Sequence, residues 1–322
     1  MSDYGRLPGV GTASVFKGDP RLPENDIDSW YNSLLGEVHP AKMRAHLYGA
    51  DAGLCARKNV LLEHNTWIPG EVTPASAGYM AIGVALEDLL ANSLRRHGRL
   101  VTQGMYLIDM PVLKIRGKID LIAFDFQDEL CLIEVKTCGK LPTEPKHDHL
   151  AQIQTYCAVS GITRAWLTYM SRDVRSDYGP KMAIRSFPVE TGSEALYKRL
   201  ETASLSLLAS KEGMLPPVPA TFRKHTECHY CSFRDHFCWR TRPGLPGAPS
   251  VEPTAPLPEY TPVELIHLYT KAGVIATDLM SEIVNRKYQT LTFIEETIEN
   301  IPEGIEEKLF KIKEATLQEL LV

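Results

Sequence analysis

The chain has 322 residues, with 44% hydrophobic and 23% charged content and a net charge of −5. These values describe a soluble globular protein with room for one large domain and an appendage. They exclude a low-complexity or collagen-like chain, and no apolar run reaches the length of a membrane span.

The charge is uneven. After Val251 there are 13 acids against 6 bases, which leaves the first 250 residues at +2. A basic body with an acidic tail remains compatible with a polyanionic partner. The N-terminus MSDYGRLPGVG lacks the basic and apolar regions of a secretory signal, so a cytoplasmic protein is expected. Seven cysteines in such a chain argue against a disulfide framework.

Residues 1–25 are punctuated by Gly and Pro, and helical patterns follow around 26–35 and 40–48. Thr73-Pro74 is a helix start, and apolar spacing carries that helix to about His97, with Glu87 inside it and Gly83 one turn earlier, where it is expected to allow close approach of helix to sheet. Strands are predicted over 100–108, 112–124 and 130–136, then a helix over 147–160. Strands near 165–170 and 182–189 follow, and a helix over 193–212. This order predicts an α/β core with a mixed sheet flanked by helices. Seven prolines lie between Pro243 and Pro262, a semi-rigid linker. Thr261-Pro262-Val263-Glu264 is a capping box, and helices are predicted over 262–286, 289–300 and 303–321. The expected organisation is an extension over 1–39, a main domain over 40–242, a linker over 243–261 and an acidic helical tail over 262–322.

The chemistry concentrates between Lys114 and Lys136, read as two adjacent strands with Asp120 in the first. The second is an apolar run ending in Glu134-Val135-Lys136. Carboxylates on neighbouring strands can converge on a hard divalent cation such as Mg²⁺ or Mn²⁺. Lys136 shares a face with Glu134 and could orient an attacking water. Taken alone, Glu-x-Lys is more often a strand-end ion pair. Gln152 and Tyr156 stand four apart on the following helix and share one face.

In this order the set resembles the RecB-like branch of the PD-(D/E)XK nuclease superfamily. Gly83…Glu87 matches the helical first motif, and Gly117-Lys118-Ile119-Asp120 the G-x-x-D motif. Glu134-Val135-Lys136 matches E-x-K, and Gln152-Ile153-Gln154-Thr155-Tyr156 matches Q-x-x-x-Y. The resemblance implies a restriction-endonuclease-like fold. It further implies metal at Glu87, Asp120 and Glu134 with the Val135 carbonyl, catalysis by Lys136, and substrate placement by Gln152 and Tyr156. Histidine is usual in RecB itself where this chain has Glu87. A two-metal-type DNA exonuclease acting at ends or in single strands is the expected activity. A DNA-end-binding subunit with little cleavage and a structure-specific endonuclease are the alternatives.

Cys228, Cys231 and Cys238 form C-x2-C-x6-C, with His225, His229 and His236 nearby, a pattern that suits zinc as readily as iron–sulfur. With Cys55 ahead of the nuclease motifs, the one-before, three-after arrangement is similar to the iron–sulfur nucleases, including the CRISPR-associated exonucleases and AddB. It implies a [4Fe–4S] staple at these four cysteines, although the family's last spacing is one residue shorter. Cys131, Cys138 and Cys157 are expected to be core or bystander residues. The tail lies outside the resemblance, and it is expected to pack on its own core or to serve a protein partner or self-association.

Overall fold

The computed structural model describes residues 47–48, 55–64, 74–104, 107–113, 115–171, 183–217, 233, 257–299 and 301–321. Contacts group the chain into residues 1–41 with 71–81, and residues 42–70 with 82–322. Within the first group only 74–81 are described, as the opening turns of one helix. The architecture below belongs to the second.

Two sheets carry the fold. The smaller has strand order β1-β4-β3, from β1 (Leu47–Tyr48), β3 (Leu107–Met110) and β4 (Ile115–Lys118). The larger runs β2-β5-β6-β7-β8: β2 (Leu100–Gln103), β5 (Leu121–Phe124), β6 (Leu130–Cys138), β7 (Arg164–Ser171) and β8 (Ile184–Glu190). Its β6–β7 pair is parallel and the other pairs are antiparallel, so the sheet is mixed as expected. Asp120 is not inside a strand. It lies in the bend between β4 and β5, which belong to different sheets. The helix predicted over 40–48 also differs, since Leu47 and Tyr48 pair with β4; the rest of that stretch, and the helix around 26–35, lie outside the described residues.

Period-2 alternation assigns the two faces of the large sheet. Leu121, Ala123, Cys131 and Ile133 form one cluster with Ala91, Leu90 and Leu94 of α2 (Pro74–Arg96). Ile122, Phe124, Leu130 and Leu132 face the other way. They pack with Ile153, Tyr156 and Cys157 of α3 (His147–Ser160) and Leu200 and Leu207 of α4 (Ser193–Glu212). On β6 the same parity places Glu134 and Lys136 on the α3 side. A short helix α1 (Ala56–Glu63) packs with α4 through Val60, Leu61, Leu205 and Ala209.

The acidic tail folds back on this core. It forms α5 (Pro262–Ser281), α6 (Ile283–Thr297) and α7 (Glu303–Leu320), with the first break at Glu282 rather than near residue 287. The predicted capping box is present: Glu264 N donates to Thr261 Oγ1 at 3.3 Å and Thr261 N to Glu264 Oε2 at 2.8 Å. Ala276, Leu279, Leu291, Ile294, Ile305 and Leu309 are buried in the same cluster as the sheet and α3. Among the described residues no helix is long and apolar enough to cross a membrane.

Gly161 fixes where the tail docks. It ends α3 in the left-handed region at φ 73°, and a Cβ there would lie 2.4 Å from Lys287 N and 2.6 Å from Ile283 O. Next to it Thr290 Oγ1 donates to Ser160 O at 2.8 Å. Gly161→Ala should therefore cost more than about 2 kcal/mol, from left-handed strain and displacement of α6. Urea unfolding measures this, and a midpoint within error of wild type would contradict the docking geometry.

Candidate active site

The site forms where β6 outruns β5. The last β5–β6 pair is Leu121↔Ile133; beyond it, residues 134–138 pair with β7 alone. The backbone donors on the vacated side of β6 need acceptors. Asp120 supplies one: its Oδ2 accepts from Val135 N at 2.8 Å. A strand residue turns its N–H and C=O to the same edge, so the Val135 carbonyl also faces the Asp120 side.

Glu134 is 2% exposed and stands on the α3 face. Its Oε1 accepts from Lys136 Nζ at 2.7 Å and from Gln152 Nε2 at 2.7 Å. Lys136 Nζ also donates to Gln152 Oε1 at 2.8 Å, which closes a three-membered ring of hydrogen bonds. Gln152 Nε2 extends the ring to Tyr156 Oη at 3.2 Å. The i, i+4 spacing on α3 thus serves one strand residue from two turns of helix. Glu134 Oε2 is buried with no hydrogen-bond partner.

Tight packing sets these positions. A Cβ on Gly117 would come within 2.6 Å of the Tyr156 ring, so the glycine of G-x-x-D is the seat of that tyrosine. Gly83 is different: an added Cβ would meet Thr137 only at 3.8 Å, an ordinary contact. The expected close approach of helix to sheet at Gly83 is not required.

The carboxylates feel one another. Burial, with Asp120's charge added, pushes Glu87 up to about 7. Burial, with repulsion from Asp120 and Glu87 only partly offset by Lys136, pushes Glu134 up to about 7. Burial raises Asp120 as well, against the pull of Lys136 and the Val135 N–H. For Lys136 burial works downward, but Glu134 and Asp120 outweigh it and hold the ammonium charged.

The PD-(D/E)XK nuclease superfamily model matches residues 21–238. The chain belongs to the PD-(D/E)XK nuclease superfamily. No curated protein sequence matches it. Among solved structures, that of SSO0001 aligns over 67% of this chain and 97% of its own, at 18% identity and TM-score 0.42. The alkaline exonuclease LHK-Exo from Laribacter hongkongensis aligns over 57% of this chain and 93% of its own, at 17% identity and TM-score 0.36. The same enzyme in complex with dAMP gives 0.35.

PD-(D/E)XK nucleases generally use divalent cations such as Mg²⁺. The residues here fit one in chemistry. Burial raises all three carboxylates, the charge of Asp120 adds to this at Glu87 and Glu134, and a buried Glu134 oxygen has no donor. Among the described residues no three acidic, His or Cys side chains are grouped closely enough to hold an ion as they stand.

Of the other expected ligands, Cys55 caps α1 and is partly exposed, while Cys228, Cys231 and Cys238 lie outside the described residues. Phe233, inside their loop, is 2% exposed and clusters with Ala56, Val60 and Leu61 directly after Cys55. Cys131, Cys138 and Cys157 are buried, and burial pushes the Cys131 and Cys157 thiols up to about 12, as suits core residues.

Sequence reading missed a brace at the start of α3. Lys146 N donates to Tyr169 Oη at 2.9 Å, and that hydroxyl lies 3.0 Å from His149 Nδ1. Burial, with the nearby Lys136 charge, lowers the imidazole to about 4, so His149 meets the hydroxyl as a neutral ring. Tyr169 pairs in register with Lys136, so the brace ties α3 to the strand beside the catalytic one. The signal was available only as a tyrosine in an apolar strand, which reads as core.

The raised carboxylates imply a pH dependence. An acid whose folded pKa exceeds its unfolded value near 4.5 contributes stability that is complete below 4.5 and is lost as pH rises through about 7. In EDTA, the melting temperature of wild type relative to Glu134→Gln should fall between pH 4.5 and 8, and Mg²⁺ or Mn²⁺ should restore it at the upper end. A difference that rises with pH would contradict the buried, uncompensated Glu134.

Proposed function

We propose that this chain is a metal-dependent DNA exonuclease that hydrolyses phosphodiester bonds at ends or in single strands by a two-metal-type mechanism. The observation that carries this reading is Glu134: one oxygen is locked by Lys136 and Gln152, the other is buried without a donor, and burial, with repulsion from Asp120 and Glu87, raises its pKa.

In this reading Glu87, Asp120 and Glu134, with the Val135 carbonyl, hold Mg²⁺ or Mn²⁺. When bound, such a cation polarises the phosphodiester and makes a water nucleophilic near neutral pH. Lys136 orients the attacking water and offsets charge that develops on the phosphoryl oxygens. Its two acceptors fix the ammonium before substrate arrives, so little reorganisation is needed. Gln152 steadies both Lys136 and Glu134, and Tyr156, seated on Gly117, steadies Gln152 and flanks the strand.

Asp120→Ala and Lys136→Ala should each lower Mn²⁺- or Mg²⁺-dependent degradation of end-labelled DNA by at least about 100-fold with the fold retained by circular dichroism. Gly117→Ala should lower it about tenfold or more by unseating Tyr156. Undiminished degradation by both charge variants would refute the assignment. Internal cuts in circular single-stranded DNA would replace exonuclease by endonuclease, and binding without product at any metal concentration would make the chain an end-binding subunit.

A [4Fe–4S] cluster at Cys55, Cys228, Cys231 and Cys238 belongs to the same reading. Its support is Phe233, which lies between Cys231 and Cys238 in sequence and packs against the residues after Cys55. Thiolates suit either iron–sulfur or zinc. Anaerobically purified protein should contain iron and acid-labile sulfide in equal amounts, lost together in Cys55→Ser. Stoichiometric zinc without sulfide would replace the cluster by a Zn²⁺ staple.

A further inference from the structure

Two lysines border the three acids, and their surroundings differ. Lys136 Nζ spends its donors on Glu134 and Gln152. Lys118 ends β4, is exposed, and makes no hydrogen bond or ion pair with any described residue. Its position is nonetheless defined. An ideal Cβ on Gly104 would lie 3.0 Å from Lys118 Cε, 3.0 Å from Lys118 Nζ and 3.5 Å from Glu87 Oε1. The ammonium and the Glu87 carboxylate therefore flank one point, the space a side chain at residue 104 would fill. Gly104 sits at φ 59° and donates its N–H to Asp120 O at 2.7 Å, so the glycine that shapes this space is also tied to the metal-site loop.

We propose that Lys118 is a phosphate-contacting residue for the bound strand on the Glu87 edge of the site, an inference that rests on the phosphodiesterase reading above. A polyanion approaching Glu87, Asp120 and Glu134 meets like charge at close range. Some cation of the protein must offset it. Lys136 has one donor left, which the reading above gives to the attacking water, whereas among the described residues none of the three Lys118 ammonium donors is taken. Its charge already favours the ionised forms of Glu87 and Asp120. With a divalent cation held by Glu87, Asp120 and Glu134, Lys118 would no longer be needed to offset these acids, and its ammonium would be free to meet the strand's phosphate oxygens. A Cβ at residue 104 would crowd the end of the lysine, so Gly104 leaves the ammonium room beside Glu87.

The test separates phosphate contact from a structural role. In a Lys136→Ala background with Mg²⁺ present, binding of fluorescent single-stranded DNA is measured across a range of NaCl. Lys118→Ala should reduce the slope of log K against log [salt] by about 0.7, one lost single-strand phosphate contact, and Lys118→Arg should keep it. In parallel, Mn²⁺ titration followed by thermal shift should show half-saturation at lower Mn²⁺ for Lys118→Ala than for wild type, because a competing cation is gone. An unchanged slope in Lys118→Ala, or an equal loss in Lys118→Arg, overturns the proposal, as does Mn²⁺ binding that weakens. If wild type degrades DNA and Asp120→Ala does not, while the Lys118→Ala slope is unchanged, the Lys118 role alone falls. If wild type neither binds nor cuts DNA, the phosphodiesterase reading falls and this inference with it.

Discussion

The constraint on which the site depends is the burial of a carboxylate at the point where a strand loses its neighbour. A buried anion is costly unless charge and hydrogen bonds compensate it, and Glu134 receives both on one oxygen and neither on the other. Each neighbouring feature is placed by that asymmetry. Lys136 must be two residues on to share its face, Gln152 must come from a helix laid over that face, and Tyr156 must lie one turn further to hold Gln152. The small glycine under Tyr156 lets the helix come near enough for all three.

The end of β5 is the second determinant. By stopping at Leu121 it leaves the Val135 N–H to Asp120, so a backbone requirement orients the acid. The same stop sends the chain into a different sheet, with β4 paired to β1 and β3. The acid therefore sits at a seam between sheets, where an exposed edge and a buried strand come within reach of one another.

Much of this was legible in the sequence because it is local. The apolar run ending in Glu134-Val135-Lys136 marked the strand, the period of two put Glu134 and Lys136 on one face, and the spacing of Gln152 and Tyr156 gave their shared helical face. Thr261-Pro262-Val263-Glu264 gave a cap that forms as written. What failed to show depended on tertiary context. Residues 112–124 read as one strand because Asp120 interrupts an otherwise strand-like run without a Gly-Pro signal; only the pairing partners reveal the switch of sheets. The break at Glu282 was invisible because neither Pro nor Gly marks it. Gly83 looked like a contact glycine and is not, whereas Gly104 and Gly161 carry contacts with residues far away in sequence. Lys118 is one of several bases flanking the motifs in sequence, and only the positions of Gly104 and Glu87 around it set it apart from the others.

The docking of α6 against Gly161 has a bearing on how such a chain can change. Helix α3 is pinned at both ends: by Tyr169 where it starts, and by the tail where it stops. Its middle carries the residues that grip Glu134. The tail is thus part of the mould in which the active site is cast rather than a detachable accessory. Exchange of the tail between related chains would have to carry the end of α3 along with it, because the Gly161 approach and the Thr290–Ser160 hydrogen bond couple the two segments.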